Sequence, residues 1–231
     1  MNKRKYRLQR RAERMAETRR RIAHAAVELH ASIGPVAATI TAIAERAGVQ
    51  RHTVYNHFPD EHSLFHACVM HGLSLWPLPD PSRWQVIGNP QRRLATALDE
   101  LYGYFERTEL MWTNVSRDLP ALPALAKANA PVFAHWGAMR RALVSGWPAR
   151  GRRSRALDAV IGHFLAFATW RSFARDEGLP RQEVVAVAVA AVRGVRGRVT
   201  TSDFPSKTTR GLRVCDAAGM KDSPGDSSPA R

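Results

Sequence analysis

The fold of this chain is decided by residues 39–58, which have the sequence TITAIAERAGVQRHTVYNHF. Its apolar residues recur at three- and four-residue intervals, which predicts a short helix with one apolar face: Ile40, Ile43, Ala44 and Ala47. Thr39 can cap this helix, because its hydroxyl can accept a hydrogen bond from a free amide of the first turn. Gly48 can end the helix in a tight turn that needs a positive φ, and Val54 can pack back on the first helix. The stretch therefore predicts two closely crossing helices, a helix-turn-helix.

The second helix of this pair has a mainly polar surface. Its polar residues are Gln50, Arg51, His52, Thr53, Tyr55, Asn56 and His57. These side chains donate and accept hydrogen bonds, which suits base edges in a major groove and the flanking phosphates. An ordinary helical hairpin inside a core is the alternative. The strongly basic segment that precedes the pair favours DNA binding.

Residues 19–71 resemble the DNA-binding domain of the TetR family of transcriptional regulators. The most specific part is the order Ala-Gly-Val, Val-Tyr-x-His-Phe and Leu-Phe, found here at 47–49, 54–58 and 64–65. Further matching residues are Arg20, Arg21, Ile22, Ala25, Ala26, Leu29, Gly34, Thr39, Ile43, Ala44 and Thr53. The chain departs from the family at two places. Asp60 and Glu61 stand where a Lys usually contacts phosphate, and Gln50 stands where the recognition helix often begins with Ser.

The resemblance implies an all-α protein with an N-terminal three-helix helix-turn-helix domain and a C-terminal helical domain for ligand binding and dimerisation. It further implies a homodimeric repressor that binds double-stranded DNA and is released from its operator by a small-molecule effector. No cofactor is expected. The residues expected to contact DNA are Arg20, Thr39, Gln50, Arg51, His52, Thr53, Tyr55, Asn56 and His57.

Composition and charge agree with a partner that is a polyanion. The 231 residues carry a formal net charge of +15, which indicates nucleic acid first and an anionic membrane second. No apolar run approaches the roughly 18 residues of a membrane span, and no secretory signal is evident. The two cysteines, Cys68 and Cys215, fit a reducing compartment. We therefore expect a cytoplasmic protein with no membrane partner, associated with the nucleoid when it is bound to DNA.

A basic arm, residues 1–16, precedes the predicted helix-turn-helix domain, residues 17–71, which we call the reading domain. Residues 1–21 hold ten basic and two acidic residues, a net charge of +8. We expect a segment that is mobile at its start and helical from about Ala12. Such an arm can track phosphates or enter the minor groove, which would add salt-sensitive affinity. The alternative is a solvated terminus that only aids solubility.

The rest of the chain predicts a helix-turn-helix domain over 17–71, a second helical domain over 72–196 and a disordered tail over 197–231. Four prolines in residues 76–90 indicate a linker or long loop. Helical patterns follow from Pro90, from about 131 to 144 and from about 154 to 176. Residues 181–195 fit either a strand or a helix, and the many alanines favour a helix.

The second domain contains most of the large aromatic residues. If it dimerises as the resemblance implies, helices at about 154–176 and 181–196 would pair across a four-helix bundle. A ligand cavity would then lie between the other helices. The residues expected to line it are Phe105, Trp112, Trp136, Met139, Phe164 and Trp170. Aromatic residues at helical spacing are also typical of a plain core.

Two other classes of function compete with the regulator. An enzyme has little support, because no phosphate-binding loop, nucleophile elbow or metal motif is present, and the adjacent pairs Asp99-Glu100 and Asp176-Glu177 suit solvated helix surfaces. His62 and His66 are one turn apart, but nothing completes a metal site, so no metal is expected. A sequence-tolerant or architectural DNA-binding protein, driven by charge alone, is the stronger alternative.

Overall fold

The structure is a computed structural model that describes residues 3–148 and 150–196. Four helices form the N-terminal part: α1 (Lys3–Ser32), α2 (Ile40–Ala47), α3 (Arg51–His57) and α4 (Glu61–Leu75). The remaining α-helices are α5 (Ser82–Gln85), α6 (Pro90–Asp118), α7 (Pro123–Ala128), α8 (Ala130–Val144), α9 (Arg152–Phe164), α10 (Phe167–Arg171) and α11 (Arg181–Arg196). A 3-10 helix at Leu119–Ala121 follows α6, and a π-helix at Ser172–Asp176 follows α10. Over these ranges there is no strand, which confirms the all-α class and makes the ambiguous segment 181–195 a helix. The predicted tail lies outside the described residues.

Helix α1 is longer than the sequence predicted. It begins at Lys3 and runs without a break to Ser32, so that the arm is helical well before Ala12. Residues 3–32 contain neither Gly nor Pro and are rich in Arg and Ala, which are good helix formers. The arm and the first helix of the reading domain are therefore one element.

The N-terminal core forms where α1, α2, α3 and α4 meet. Its buried residues include Ile22, Ala26, Ile43, Ala44, Val54, Phe58 and Leu64. The small side chains of Ala26 and Ala44 allow the helices to approach closely, and Val54 is fully buried against them. Burial of this apolar face is what holds α3 in place, because a seven-residue helix is marginal on its own.

Helix α6 is the central element of the second core. Buried residues along its first half include Leu94, Leu98, Leu101, Tyr102 and Phe105. These pack against buried residues of α8, α9 and α11, such as Met139, Ile161 and Val184. The second half of α6 packs against α1, so one helix contacts both cores.

The contact between α6 and α1 is made by three polar side chains, which we name the α6 latch: Asn114, Arg117 and Asp118. Asn114 Nδ2 donates to the carbonyl of Ala31 over 2.6 Å, and Arg117 Nη2 donates to the carbonyl of Ile33 over 3.1 Å. Asp118 Oδ2 accepts from the amide of Val36 over 3.0 Å. The latch therefore binds the segment that joins α1 to α2.

Asp118 and Gly34 complete this contact. The hydrogen bond from Arg117 holds the pKa of the buried Asp118 below its ordinary value, so the carboxylate stays ionised at neutral pH. Gly34 has φ +95, a conformation that L side chains rarely adopt. A Cβ at this position would also collide with the side chains of Arg117 and Asp118. Glycine is therefore favoured here mainly by its conformation, because the ends of the Arg117 and Asp118 side chains could shift away from a Cβ.

Two parts of the second core differ from expectation. The predicted loop over 76–90 contains the short helix α5, which is anchored by the fully buried Trp84; its indole nitrogen donates to Glu100 Oε2 over 2.8 Å. The predicted helix over about 154–176 is broken after Phe164, because Ala166 has an extended backbone. The carbonyls of Phe164 and Leu165 instead accept from Tyr102 Oη and Trp136 Nε1, over 3.0 and 3.1 Å. Tertiary hydrogen bonds thus make the break possible.

We expect Phe105→Ala to lower the free energy of unfolding by about 3–5 kcal/mol, the usual range for loss of a buried aromatic ring. Phe105 is fully buried and its ring lies close to those of Tyr102, Tyr104, Trp112, Trp136, Phe167 and Trp170. The matched control is Phe133→Ala, since Phe133 is 49% exposed and its loss should change stability by less than about 0.5 kcal/mol. Urea unfolding at one fixed protein concentration measures both. Equal losses in the two variants would contradict the assigned core.

Candidate nucleic-acid interface

The turn between α2 and α3 has the geometry that the sequence predicted. Thr39 caps α2, because its hydroxyl oxygen accepts from the amide of Ala42 over 3.1 Å. Gly48 ends the helix with φ +64. Its amide donates to the carbonyl of Glu45, and the amide of Val49 donates to that of Ala44, which together form a Schellman motif. This termination allows α3 to begin within three residues of Gly48 and to cross α2.

Helix α3 presents most of its predicted DNA-contacting residues to solvent. Arg51, His52, Tyr55 and Asn56 are exposed, Thr53 and His57 are half-buried, and only Val54 faces the core. Arg51 Nη2 donates to Tyr55 Oη over 3.1 Å, and its guanidinium lies 5.7 Å from the centre of the Tyr55 ring. The exposed side of α3 therefore combines a cation, amide and imidazole groups and a phenol, a mixture suited to base edges and phosphates.

The two departures from the family pattern have clear structural consequences. Gln50 precedes α3, but its side chain makes no capping hydrogen bond. The residue is exposed, so its side-chain amide can contact another molecule. Asp60 caps α4, because Oδ1 accepts from the amide of Ser63 over 2.7 Å. Glu61 stands in the first turn of the same helix, where a negative charge is favourable. The acidic pair thus stabilises α4 at the position where relatives usually have a phosphate contact.

Arg19 joins α1 to the end of α3, and the sequence alone did not indicate it. Its guanidinium donates to the backbone carbonyl of His57 and lies 4.1 Å from the centre of the Phe58 ring. A charged group stacked on an aromatic ring and bound to a helix end fixes the angle between the two helices. The predicted DNA contact Arg20 is exposed and forms an ion pair with Glu17. Arg19 is therefore a positioning residue, whereas Arg20 stays on the accessible surface.

The arm adds a basic stripe to this surface. Arg7, Arg14 and Arg21 are spaced by seven residues, so they share one side of α1, and Arg10 lies one turn from Arg7 and Arg14. All of these side chains are exposed. Leu8, Ala12 and Met15 lie away from this stripe, but Arg4 and Arg11 are one turn from Leu8 on the same side of the helix. The first turns of α1 are thus basic around most of their surface and are continuous with the reading domain.

The structure brings the predicted ligand residues together as a packed aromatic cluster. The rings of Trp112 and Trp136 are 5.0 Å apart, and those of Phe105 and Trp170 are 5.6 Å apart. Met139 and Phe164 are buried in the same core. Of the six, only Trp112 lines a cavity found on the other side, next to α1 and α4. The buried indole nitrogen of Trp170 has no hydrogen-bond acceptor within the residues that the structure describes.

Other candidate sites are sparse over residues 3–148 and 150–196. No group of three metal-binding side chains is found there, and the His62 and His66 rings are 6.2 Å apart. Asp99 pairs with Arg181, and its neighbour Glu100 accepts from Trp84, so both carboxylates have structural partners. None of the helices in these ranges has the length and apolar character to cross a bilayer.

A capped helix, a glycine turn and an exposed polar second helix, continuous with a basic arm, define a helix-turn-helix DNA-binding protein. Residues 22–68 match the family described as bacterial regulatory proteins, tetR family. The N-terminal segment therefore matches the DNA-binding region of the TetR family, and the resemblance predicted from the sequence is confirmed. None of the curated proteins compared with the chain matches it.

Solved structures share the fold of the larger part of the chain. A protein assigned to the TetR family from Mesorhizobium loti is 18% identical with a TM-score of 0.53, covering 79% of this chain and 96% of its own. A TetR-like transcriptional regulator from Rhodococcus sp. RHA1 is 15% identical with a TM-score of 0.54, covering 78% and 97%. A Clostridium perfringens protein assigned to the regulation of fatty acid metabolism is 18% identical with a TM-score of 0.53, covering 75% and 97%. At these identities the likeness concerns the fold.

We expect Arg51→Ala to weaken binding to the duplex that the wild-type protein selects by about 1–3 kcal/mol, since a good base or charged contact contributes this much. Tyr55→Phe, which removes only the hydroxyl that holds Arg51, should have a smaller effect in the same direction. Fluorescence anisotropy at one fixed salt concentration measures both. Arg92→Ala is the matched control, because Arg92 is exposed on α6 outside the helix-turn-helix. Wild-type affinity in both Arg51→Ala and Tyr55→Phe would show that the DNA contact surface lies elsewhere on the protein.

The basic stripe should appear in the salt dependence of DNA binding. We expect the triple substitution of Arg7, Arg10 and Arg14 by Gln to reduce the slope of log K against log salt by about 0.9 for each phosphate that the variant no longer neutralises. The control replaces Arg92, Arg107 and Arg141 by Gln, which removes the same charge from exposed positions of α6 and α8. If both triples change the slope equally, net charge and not the arm sets the affinity.

Proposed function

We propose that the protein is a homodimeric transcriptional repressor that binds an inverted repeat in double-stranded DNA and is released by a small-molecule effector. In this proposal residues 17–71 are the reading domain and residues 72–196 are the effector and dimerisation domain. The observation that carries the proposal is the exposed polar side of α3 on a domain of the TetR family. The repressor would act in the cytoplasm, at its operator on the chromosome.

Sequence would be read by α3. Arg51, Tyr55 and Asn56 are exposed on this helix and can reach base edges, while Thr39 and Gln50 are exposed at the starts of α2 and α3 and can bind phosphates. His52, Thr53 and His57 would complete the contact. Arg20 and the basic stripe of α1 would add phosphate contacts that carry no sequence information.

The dimer would form through α9 and α11. The side of α11 turned away from the core has small exposed residues at Ala186, Val187 and Ala190, and Val187 is 39% exposed. Small side chains allow two helices to approach closely, as a four-helix bundle between subunits requires. A two-fold dimer would present two α3 helices to half-sites about one helical turn of DNA, or a multiple of it, apart.

Effector release would follow from linkage. An effector that binds more tightly to the conformation with wrongly spaced reading domains must lower DNA affinity by the same coupling free energy. The aromatic cluster of Phe105, Trp112, Trp136, Met139, Phe164 and Trp170 is the predicted place for apolar contacts with it, and the unpartnered Trp170 indole could supply one polar contact.

The experiment that tests this function is a selection of random duplexes by the purified full-length protein at one fixed salt concentration near the physiological value. We expect enrichment of an inverted repeat, and the Arg51→Ala variant should lose that enrichment while Arg92→Ala keeps it. The basic stripe of α1 supports one competing function, a sequence-tolerant DNA-binding protein. Strong binding with no enriched sequence would establish that function instead.

The direction of effector control is tested separately. A molecule that binds the protein should weaken its complex with the selected duplex, measured as a lower affinity at saturating effector. An effector that strengthens DNA binding would overturn release as the mechanism and leave operator binding intact.

A further inference from the structure

A cavity of about 80 Å³ lies between the reading domain and the second core. Helices α1 and α4 form one wall, and α6, α7 and α8 form the rest. Most of its lining is apolar or aromatic, including Trp76, Met111 and Trp112. Because each core contributes one wall, whatever occupies this space contacts both at once.

The lining has no charged side chain. None of its fifteen residues is Asp, Glu, Lys or Arg. Burial lowers the pKa of His30 to about 4 and raises the pKa of the Cys68 thiol to about 12, so both are neutral at pH 7. The charged group that acts on His30 is Asp118, and it is already paired with Arg117. An ion entering the cavity would therefore lose its hydration without gaining a partner.

The cavity nevertheless offers hydrogen bonds. Thr108 donates its hydroxyl proton to the carbonyl of Tyr104 over 2.7 Å, and its oxygen can still accept. Asn129 uses Nδ2 for the carbonyl of Leu125, which leaves its Oδ1 as an acceptor. His30 Nδ1 is 3.1 Å from Cys68 Sγ, which leaves the second ring nitrogen for another bond. The second His30 nitrogen donates or accepts according to the tautomer of the ring, whereas Thr108 Oγ1 and Asn129 Oδ1 are neutral acceptors. Two neutral acceptors around an apolar space suit a molecule with one ring and an uncharged donor.

The cavity is small compared with the volume of a six-membered ring. A cavity that holds benzene measures about 150 Å³, so a ring can be fully enclosed here only if a wall moves. Helix α6 has its non-helical residue at this wall: Thr108 has φ −122 and ψ 16. A threonine hydroxyl that bonds to the carbonyl four residues earlier commonly bends a helix. The kink is therefore the place where the wall can yield.

The half of α6 beyond the kink ends in the latch. A change of angle at Thr108 would move Asn114, Arg117 and Asp118, which hold the carbonyls of Ala31 and Ile33 and the amide of Val36. That segment leads directly into α2. A displacement there is transmitted to the helix-turn-helix as a change of orientation.

We infer that the cavity binds a small neutral molecule with one ring and an uncharged hydrogen-bond donor, and that its entry changes the angle of α6 at Thr108 and loosens the latch. The effect on DNA rests on the proposed function, whereas binding in the cavity does not.

The test uses the full-length protein with phenol, indole and cyclohexanol as neutral probes and benzoate as the charged counterpart. Calorimetric titration without DNA should show saturable binding of at least one neutral probe and none of benzoate. Thr108→Val should weaken that binding roughly two- to tenfold, the effect of one hydrogen bond. Thr113→Val is the matched control, because Thr113 lies on the same helix but does not line the cavity.

A second measurement follows the latch. Hydrogen exchange of residues 33–38, which include the Val36 amide bound to Asp118, should become faster when the bound neutral probe is present. The same probe should weaken binding to the selected duplex, with a smaller effect in Thr108→Val.

Three outcomes would overturn the inference: binding of benzoate as tight as that of the neutral probes, equal affinities in Thr108→Val and wild type, or no saturable binding of any neutral probe. Unchanged exchange on binding would overturn the latch movement alone. If the protein selects an operator but binds no probe, the proposed function stands and this inference is wrong. If the protein binds phenol but selects no sequence, binding in the cavity stands and the proposed function is wrong.

Discussion

The segment that leads from α1 into α2 is held by a small set of partly buried hydrogen bonds at the end of α6. Asn114 and Arg117 bind the carbonyls of Ala31 and Ile33, and Asp118 binds the amide of Val36. These backbone groups lie just beyond or at the end of α1, where a helix leaves its last carbonyls without partners. Because the partners of these backbone groups are side chains of α6, a displacement of the turn into α2 would break hydrogen bonds to α6. These polar contacts thus fix the position of α6 relative to α1, whereas the two cores are held together mainly by apolar side chains.

The exposed surface of the N-terminal part has two regions of different chemical character, α3 and the first turns of α1. Helix α3 has a mixture of donors and acceptors but only one guanidinium on its exposed side, that of Arg51. The first turns of α1 have the opposite character, with closely spaced arginines and few groups that could distinguish bases. Asp60, which caps α4, places a negative charge where relatives usually have a cation. The arm is therefore the part of the surface best able to supply the missing phosphate attraction.

Local features were predictable from the sequence, and long-range polar contacts were not. The Thr39 cap, the positive φ of Gly48 and the burial of Val54 depend on residues within a few positions of one another, so their pattern is visible in the chain. Arg19 binds the carbonyl of a residue 38 positions away, and Asn114 binds one 83 positions away. The break after Phe164 likewise depends on Tyr102 and Trp136, and no Gly or Pro marks it. The six aromatic and sulfur-containing residues expected around a ligand do lie together, and aromatic periodicity alone does not distinguish a packed core from the wall of a ligand site.

A substitution at Gly34 would affect the contact between α6 and the segment that joins α1 to α2. Any side chain there would strain the backbone and intrude between Arg117 and Asp118, although residue 34 lies on neither α3 nor the cavity lining. The two cores would remain intact, because neither contains this residue. Such a variant would leave the residues of both cores unchanged and would alter only the contact between α6 and the segment that leads from α1 into α2.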